Sequence, residues 1–164
     1  MINVILSFKN IAMGSQEVIQ IEEDFTLIRF QNDGETNFYA QHEVSHGLIQ
    51  FHFGIKGNAK FIFNQGNYSL DLKEEKSLLL YNPQKELPLN LELLPNSWAI
   101  SVIVSIKKFH ALFSNEANYI TFLSGENKDK KYYKEDNISP SMAIVLSQLF
   151  HYNLHPSIKN LYYK

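Results

Sequence analysis

Six histidines and no cysteine set the limits on the chemistry open to this chain of 164 residues. A metal held inside a small barrel needs a His-x-His pair on one strand, a carboxylate a few residues on and a further His from a distant strand, so that alternate side chains converge. His42, His46 and His52 lack that spacing. If His46 and His52 share a strand, their six-residue separation spans about 20 Å at roughly 3.3 Å per residue, beyond the reach of one ion. His42 and His46 could approach each other across a turn at 43–45 with Glu43 beside them, although a polar turn explains these residues more simply. His110, His151 and His155 fall in helical patterns or at a helix start. No metal and no cofactor are therefore expected.

Covalent catalysis has no better footing. Without Cys there is no thiol nucleophile, thiolate zinc site or disulfide framework, a composition at ease in a reducing compartment. Gly-x-Ser-x-Gly, His-Glu-x-x-His and glycine-rich phosphate loops are missing from the sequence. Glu74, Glu75 and Glu86 sit beside lysines in strand-connecting stretches, as solvated carboxylates do. The reading is that the chain is not an enzyme.

Charge argues against nucleic acid. Fifteen basic residues against seventeen acidic ones leave a net charge of -2, and Arg29 is the one arginine. A duplex is held by basic stripes and read most often by bidentate Arg, neither of which is on offer. The densest basic run, Lys128, Lys130, Lys131 and Lys134, is interleaved with Asp129, Glu135 and Asp136 and reads as a solvated connector. This segment should not bind DNA by itself.

The elements that must position any site follow from period. Strand-length runs occur near 3–8, 17–21, 26–31, 36–42, 47–55, 58–64, 68–72, 77–81, 87–93 and 98–106. Asn32-Asp33-Gly34, Lys56-Gly57-Asn58, Gln65-Gly66-Asn67, Asn82-Pro83 and Pro95-Asn96 separate them with turn residues. Many short strands without intervening helices predict a mainly β fold, a β-sandwich or a barrel, followed by helices. Lys107 to Phe113 reads as a short helix and 124–137 as a polar, charged connector. Ser139-Pro140 then supplies an N-cap and a first-turn proline for a helix that a second one, from Pro156, turns into a helical hairpin. Two regions result, a barrel over 1–106 and a helical dimerisation or linker region over 107–164.

Alternation assigns faces. Leu87, Leu89, Leu91 and Leu93 share one side of their strand. In the last strand Trp98, Ile100, Val102, Val104 and Ile106 share one face and Ala99, Ser101, Ile103 and Ser105 the other, so both faces are covered. The smaller face is expected to look into the barrel and the Trp98 face to lie under a helix. A candidate pocket lining follows: Ser101 and Ile103 against Leu89 and Leu91, with Phe51 and Phe53 as aromatic walls and His42 as a polar contact at the rim. On the helices, Met142, Val145, Leu146, Leu149 and Phe150, with Ile158, Leu161 and Tyr162, supply more apolar surface than a hairpin needs. They are the candidate interface of a two-fold homodimer. The first six residues are too short an apolar run for a signal or a membrane span, so a cytoplasmic protein is expected. The last helical pattern reaches Lys164 with no stop signal, which reads as the front part of a longer protein.

Several runs, taken in order, carry a family resemblance: Gly47-Leu48-Ile49-Gln50-Phe51-His52-Phe53-Gly54-Ile55-Lys56-Gly57, Phe61-Ile62-Phe63-Asn64-Gln65-Gly66-Asn67-Tyr68-Ser69-Leu70, Leu78-Leu79-Leu80-Tyr81-Asn82-Pro83 and Phe109-His110-Ala111-Leu112-Phe113. Together they resemble the N-terminal sensor half of AraC-type bacterial transcription regulators, over nearly the whole chain. The resemblance implies a cupin-like barrel that binds a small-molecule effector, a helical hairpin that dimerises, and DNA contact only through two helix-turn-helix motifs in a domain of about 100 residues beyond Lys164. It names no effector. A free-standing cupin enzyme or small-molecule-binding protein is the alternative.

Overall fold

The computed structural model describes residues 14–83, 86–112 and 132–150. Ten strands and two α-helices fall within them: β1 Gly14–Glu22, β2 Phe25–Asn32, β3 Phe38–His42, β4 Ile49–Lys56, β5 Asn58–Phe63, β6 Tyr68–Lys73, β7 Lys76–Tyr81, β8 Leu89–Leu93, β9 Ser97–Val104, α1 Ile106–Leu112, β10 Tyr132–Asn137 and α2 Pro140–Phe150. All strand pairs are antiparallel, in a six-stranded sheet ordered β1-β2-β9-β4-β7-β10 and a four-stranded sheet ordered β3-β8-β5-β6. The inner eight, β2-β9-β4-β7 against β3-β8-β5-β6, are the two interleaved Greek keys of a jelly roll.

Two apolar layers hold this together. Between the sheets lie Ile28 and Phe30 from one side and Phe61, Leu72, Leu89 and Leu91 from the other. On the opposite face of the six-stranded sheet, Phe51, Phe53, Ile100 and Val102 join Phe109 of α1 and Met142 and Leu146 of α2. Central strands β4 and β9 are therefore buried on both faces, and no one side of either can be polar without a partner. Each fully buried Leu or Phe contributes about 1.5–3 kcal/mol relative to exposure, which is what keeps α2 on the sheet.

Turn chemistry falls where the sequence placed it. Gly57 at φ 70, Gly66 at φ 95 and Asn96 at φ 56 occupy the left-handed region at three of the breaks. At a fourth, Asn32 accepts from the Gly34 amide and donates from Nδ2 toward the carbonyls of Thr36, Leu93 and Leu94, tying the β2–β3 loop to the end of β8. The α2 start is capped as expected: the Met142 amide donates to Ser139 Oγ at 3.2 Å, and the Ala143 amide to the Ser139 carbonyl at 2.9 Å.

One expected connector is a strand. Residues 132–137 pair with β7 from Tyr132↔Tyr81 to Asn137↔Lys76, so the six-stranded sheet recruits part of the region assigned to helices. The strand is hidden in the sequence because it is an edge with exposed residues on both faces, and Lys134, Glu135 and Asp136 are the charges that keep such an edge from pairing further. Of the two helices expected to form a hairpin, the first is α2; the second, from Pro156, lies outside the described residues, as does the strand expected near 3–8. No described helix is long and apolar enough to cross a membrane.

Candidate functional site

β4 alternates Phe51 and Phe53 with Gln50 and His52, and the register of the six-stranded sheet decides which pair looks inward. His52 stands opposite Ser101 and Gln50 opposite Ile103 on β9. Ile103 belongs to the inter-sheet layer, so Gln50, His52 and Ser101 share its face, while Phe51 and Phe53 point the other way. The expectation that Phe51 and Phe53 wall the pocket is thus corrected. Their rings, 4.3 Å apart, lie in the layer under the helices, with Phe51 5.5 Å from Phe109. An outward-facing Phe on a central strand still has a core to fill when helices cover that face.

The three polar residues form a chain. His52 Nδ1 is 2.6 Å from Ser101 Oγ and its Nε2 is 2.9 Å from Gln50 Oε1. Gln50 Nε2 donates to the Leu87 carbonyl, which fixes the amide so that its oxygen faces the imidazole. The oxygen can only accept, so Nε2 carries the ring proton and Nδ1 accepts from the Ser101 hydroxyl. Burial pushes the His52 pKa down to about 3, and the ring is neutral at physiological pH. The Phe61 ring from the opposite sheet lies 4.1 Å from it, tilted by 37°. The result is an uncharged polar lane on one side of the apolar layer between the sheets, with Leu89 and Leu91 on the facing sheet.

Leu89, Leu91, Ser101 and Ile103 all face this inter-sheet layer. His42 ends β3 at its rim, with Nε2 2.6 Å from Gln16 Oε1 and its ring edge-on to Phe30 at 6.2 Å; partial burial lowers its pKa. Gln50 and His52 were missed as pocket residues. Their signal was parity, since any residue two or four positions from a Phe-facing site on β4 shares that side and its neighbours take the other. The face of β9 that carries Trp98 lies under the helices at Ile100 and Val102, while at its end the Trp98 Nε1 donates to Asp33 Oδ1 at 2.9 Å and Lys56 Nζ lies 5.2 Å from the ring centroid. Among the described residues no group of three His, Asp or Glu is placed to hold an ion.

The candidate interface divides. Met142 and Leu146 are buried against the six-stranded sheet, so these two are corrected from a subunit contact to a cover for the barrel, while Val145 packs beside them only partly buried. Two apolar positions four apart present one helix face, and the sheet takes it. The side chains of Leu149 and Phe150, and all of Ile158, Leu161 and Tyr162, lie outside the described residues.

A second concavity opens on the outer face of the four-stranded sheet. It measures about 520 Å³ and is lined by Tyr39, Gln41, Asn90, Ile62 and the β5–β6 turn at Gln65, among others. These side chains alternate with the inward-facing Ala40, Leu89, Leu91 and Phe61.

No protein-family model matches the chain, and no curated protein does. Solved structures do. An RmlC-like cupin protein from Desulfovibrio desulfuricans aligns with 12% identity and a TM-score of 0.43 over 56% of this chain and 82% of its own. A cupin superfamily protein from Desulfitobacterium hafniense gives 11%, 0.41, 57% and 77% for the same quantities. Wild-type ToxT from Vibrio cholerae, bound to an unsaturated fatty acid, aligns with 15% identity and a TM-score of 0.48 over 87% of this chain. The chain spans about half the length of ToxT, 52% of it.

Proposed function

We propose that this chain is the effector-sensing and dimerisation domain of an AraC-type transcription regulator, acting on DNA only through a helix-turn-helix domain C-terminal to it. The observation that carries the sensing role is the Ser101–His52–Gln50 chain, a run of hydrogen-bonding side chains spent inside an apolar layer where leucine would have been simpler to bury. The order of sequence motifs supports the regulator assignment. On this reading the barrel does no chemistry: an effector redistributes a dimer between two states, which requires that it bind them with different affinity.

Gln50, His52 and Ser101 are all uncharged, so they suit a largely apolar effector with a neutral hydroxyl, amide or carbonyl rather than a carboxylate. Dimerisation falls to the apolar positions not committed to the sheet, Leu149, Phe150, Ile158, Leu161 and Tyr162. Cytoplasmic residence belongs to the same proposal.

The test is a small-molecule screen by thermal shift on wild type and on Gln50→Leu. A ligand that raises the wild-type melting temperature and loses most of that shift in the variant supports the site; equal shifts in both place sensing elsewhere. The reading frame after Lys164 separates the regulator from the free-standing alternative. Two helix-turn-helix units there support it, and an immediate stop codon overturns it.

A further inference from the structure

We infer that the open seam between β6 and β10 is a binding site for a cationic amine carried on an apolar or aromatic body. Register puts both walls of that seam on the inward side of their sheets. Tyr133 and Glu135 stand opposite Leu80 and Leu78 on β7, and Tyr68 stands opposite Phe63 on β5, so all three share the faces that build the layer between the sheets. Aromatic side chains in such positions are normally covered. Here Tyr68 keeps 52% of its surface exposed and Tyr133 44%, because each strand ends its sheet and, among the described residues, no strand bridges the two.

The walls narrow the occupant. The rings of Phe63 and Tyr68 lie 6.0 Å apart, and the Tyr133 hydroxyl donates to Glu135 Oε1 at 3.1 Å. Burial, then Glu135, then the neighbouring Tyr68 hold that hydroxyl above its ordinary pKa, so it stays protonated and donating. Glu135 keeps its negative charge on the seam side of β10. The adjacent Lys134 lies on the other side of the strand, 3.5 Å from Asp136, and leaves that charge uncompensated. Ring faces attract a cation through their quadrupole, and a carboxylate beside them adds a charged hydrogen-bond acceptor. An anion would be repelled by Glu135, and a neutral ligand would gain only the rings.

The same register ties the seam to the polar lane. Across the six-stranded sheet Ser101, His52, Leu78 and Glu135 form one row, and Ile103, Gln50, Leu80 and Tyr133 form the next. Glu135 is thus two strands from His52, about 10 Å at roughly 4.8 Å per strand, with one leucine between them. This step rests on the sensing role proposed above: the effector is an apolar chain of about that length, its ammonium at Glu135 and its neutral polar end at Gln50.

Titration calorimetry and NMR of the aromatic rings test this on wild type, Glu135→Gln, Tyr68→Ala and Gln50→Leu. The probes are two cations, benzyltrimethylammonium and ω-aminooctanol, with octanol and octanoate as neutral and anionic controls. Both cations should bind saturably, shift the ring signals of Tyr68 and Tyr133, and weaken about fivefold or more in Glu135→Gln and in Tyr68→Ala. Glu135 is exposed, so Glu135→Gln should melt with wild type, which separates lost binding from lost fold. No saturable binding by either cation, affinities that ignore both seam variants, or octanol binding as tightly as ω-aminooctanol would overturn the inference. Ring signals that move with protein concentration alone would give the seam to a second copy and overturn it too. Gln50→Leu should weaken ω-aminooctanol and spare benzyltrimethylammonium; if it spares both, the sensing lane fails while the seam stands on Glu135 and Tyr68.

Discussion

His52 and Ser101 face each other across the β4–β9 pair, Nδ1 to Oγ at 2.6 Å, with no water-accessible surface on either residue. A neutral imidazole in that position links folding to pH. Its folded pKa, about 3, lies below the unfolded value near 6.5, so between those values the unfolded chain binds a proton that the native one does not. Stability is fully present above pH 6.5 and falls with acid by roughly 1.4 kcal/mol per pH unit across the window. Urea unfolding of wild type from pH 7 to pH 4 should show that slope, and His52→Gln should flatten it. His42, whose pKa burial also lowers, contributes in the same direction, so a residual slope remains; an unchanged slope in His52→Gln would refute the neutral buried ring.

Ser101→Ala keeps the volume of the site and strips His52 Nδ1 of its donor. The expected loss is about 1–3 kcal/mol in denaturant midpoint analysis, the cost of an orphaned buried acceptor. A neutral outcome would mean that water reaches the layer between the sheets and replaces the hydroxyl.

Leu146 and Leu149 should behave differently. Leu146→Ala opens a cavity between α2 and the sheet and should cost about 2–5 kcal/mol with no change in assembly. Leu149→Glu should leave the melting temperature within a few degrees yet shift sedimentation across protein concentration toward monomer. A monomer at every concentration in wild type would dispose of the dimer.

The cap of α2 is open to a direct measurement. Ser139→Ala removes the acceptor for the Met142 amide and should cost about 1 kcal/mol, with earlier hydrogen exchange in 140–146. Ser139→Asp should restore it.

Gly57→Ala is expected to be severe for its size. At φ 70 an added Cβ is strained already, and here it would overlap Ser97 Oγ, which accepts from the Asn58 amide and holds the β4–β5 and β8–β9 turns together. A loss above about 1 kcal/mol is expected, against a gain where glycine is replaced at a relaxed site.

Much of this architecture was legible in one dimension because it depends on local rules. Period-two runs gave the strands, Gly57, Gly66 and Asn96 gave the turns, and Ser139-Pro140 gave the start of α2, since dihedral sterics and capping act over a few residues. Alternation along 98–106 even assigned Ser101 and Ile103 to the barrel interior, where both are buried. What stayed hidden depends on partners far along the chain. Phe51 and His52 are neighbours, and only the pairing of β4 with β9 and the seating of α2 on one face decide that phenylalanine goes outward and histidine inward. The residues of β10 carry no alternation because an edge strand has solvent on both sides, so its place beside β7 exists only in the assembled sheet. The buried oxygen of Asn90 is likewise invisible in sequence: a lone asparagine between two leucines reads as solvated, and only packing in the assembled sheet takes that oxygen out of water.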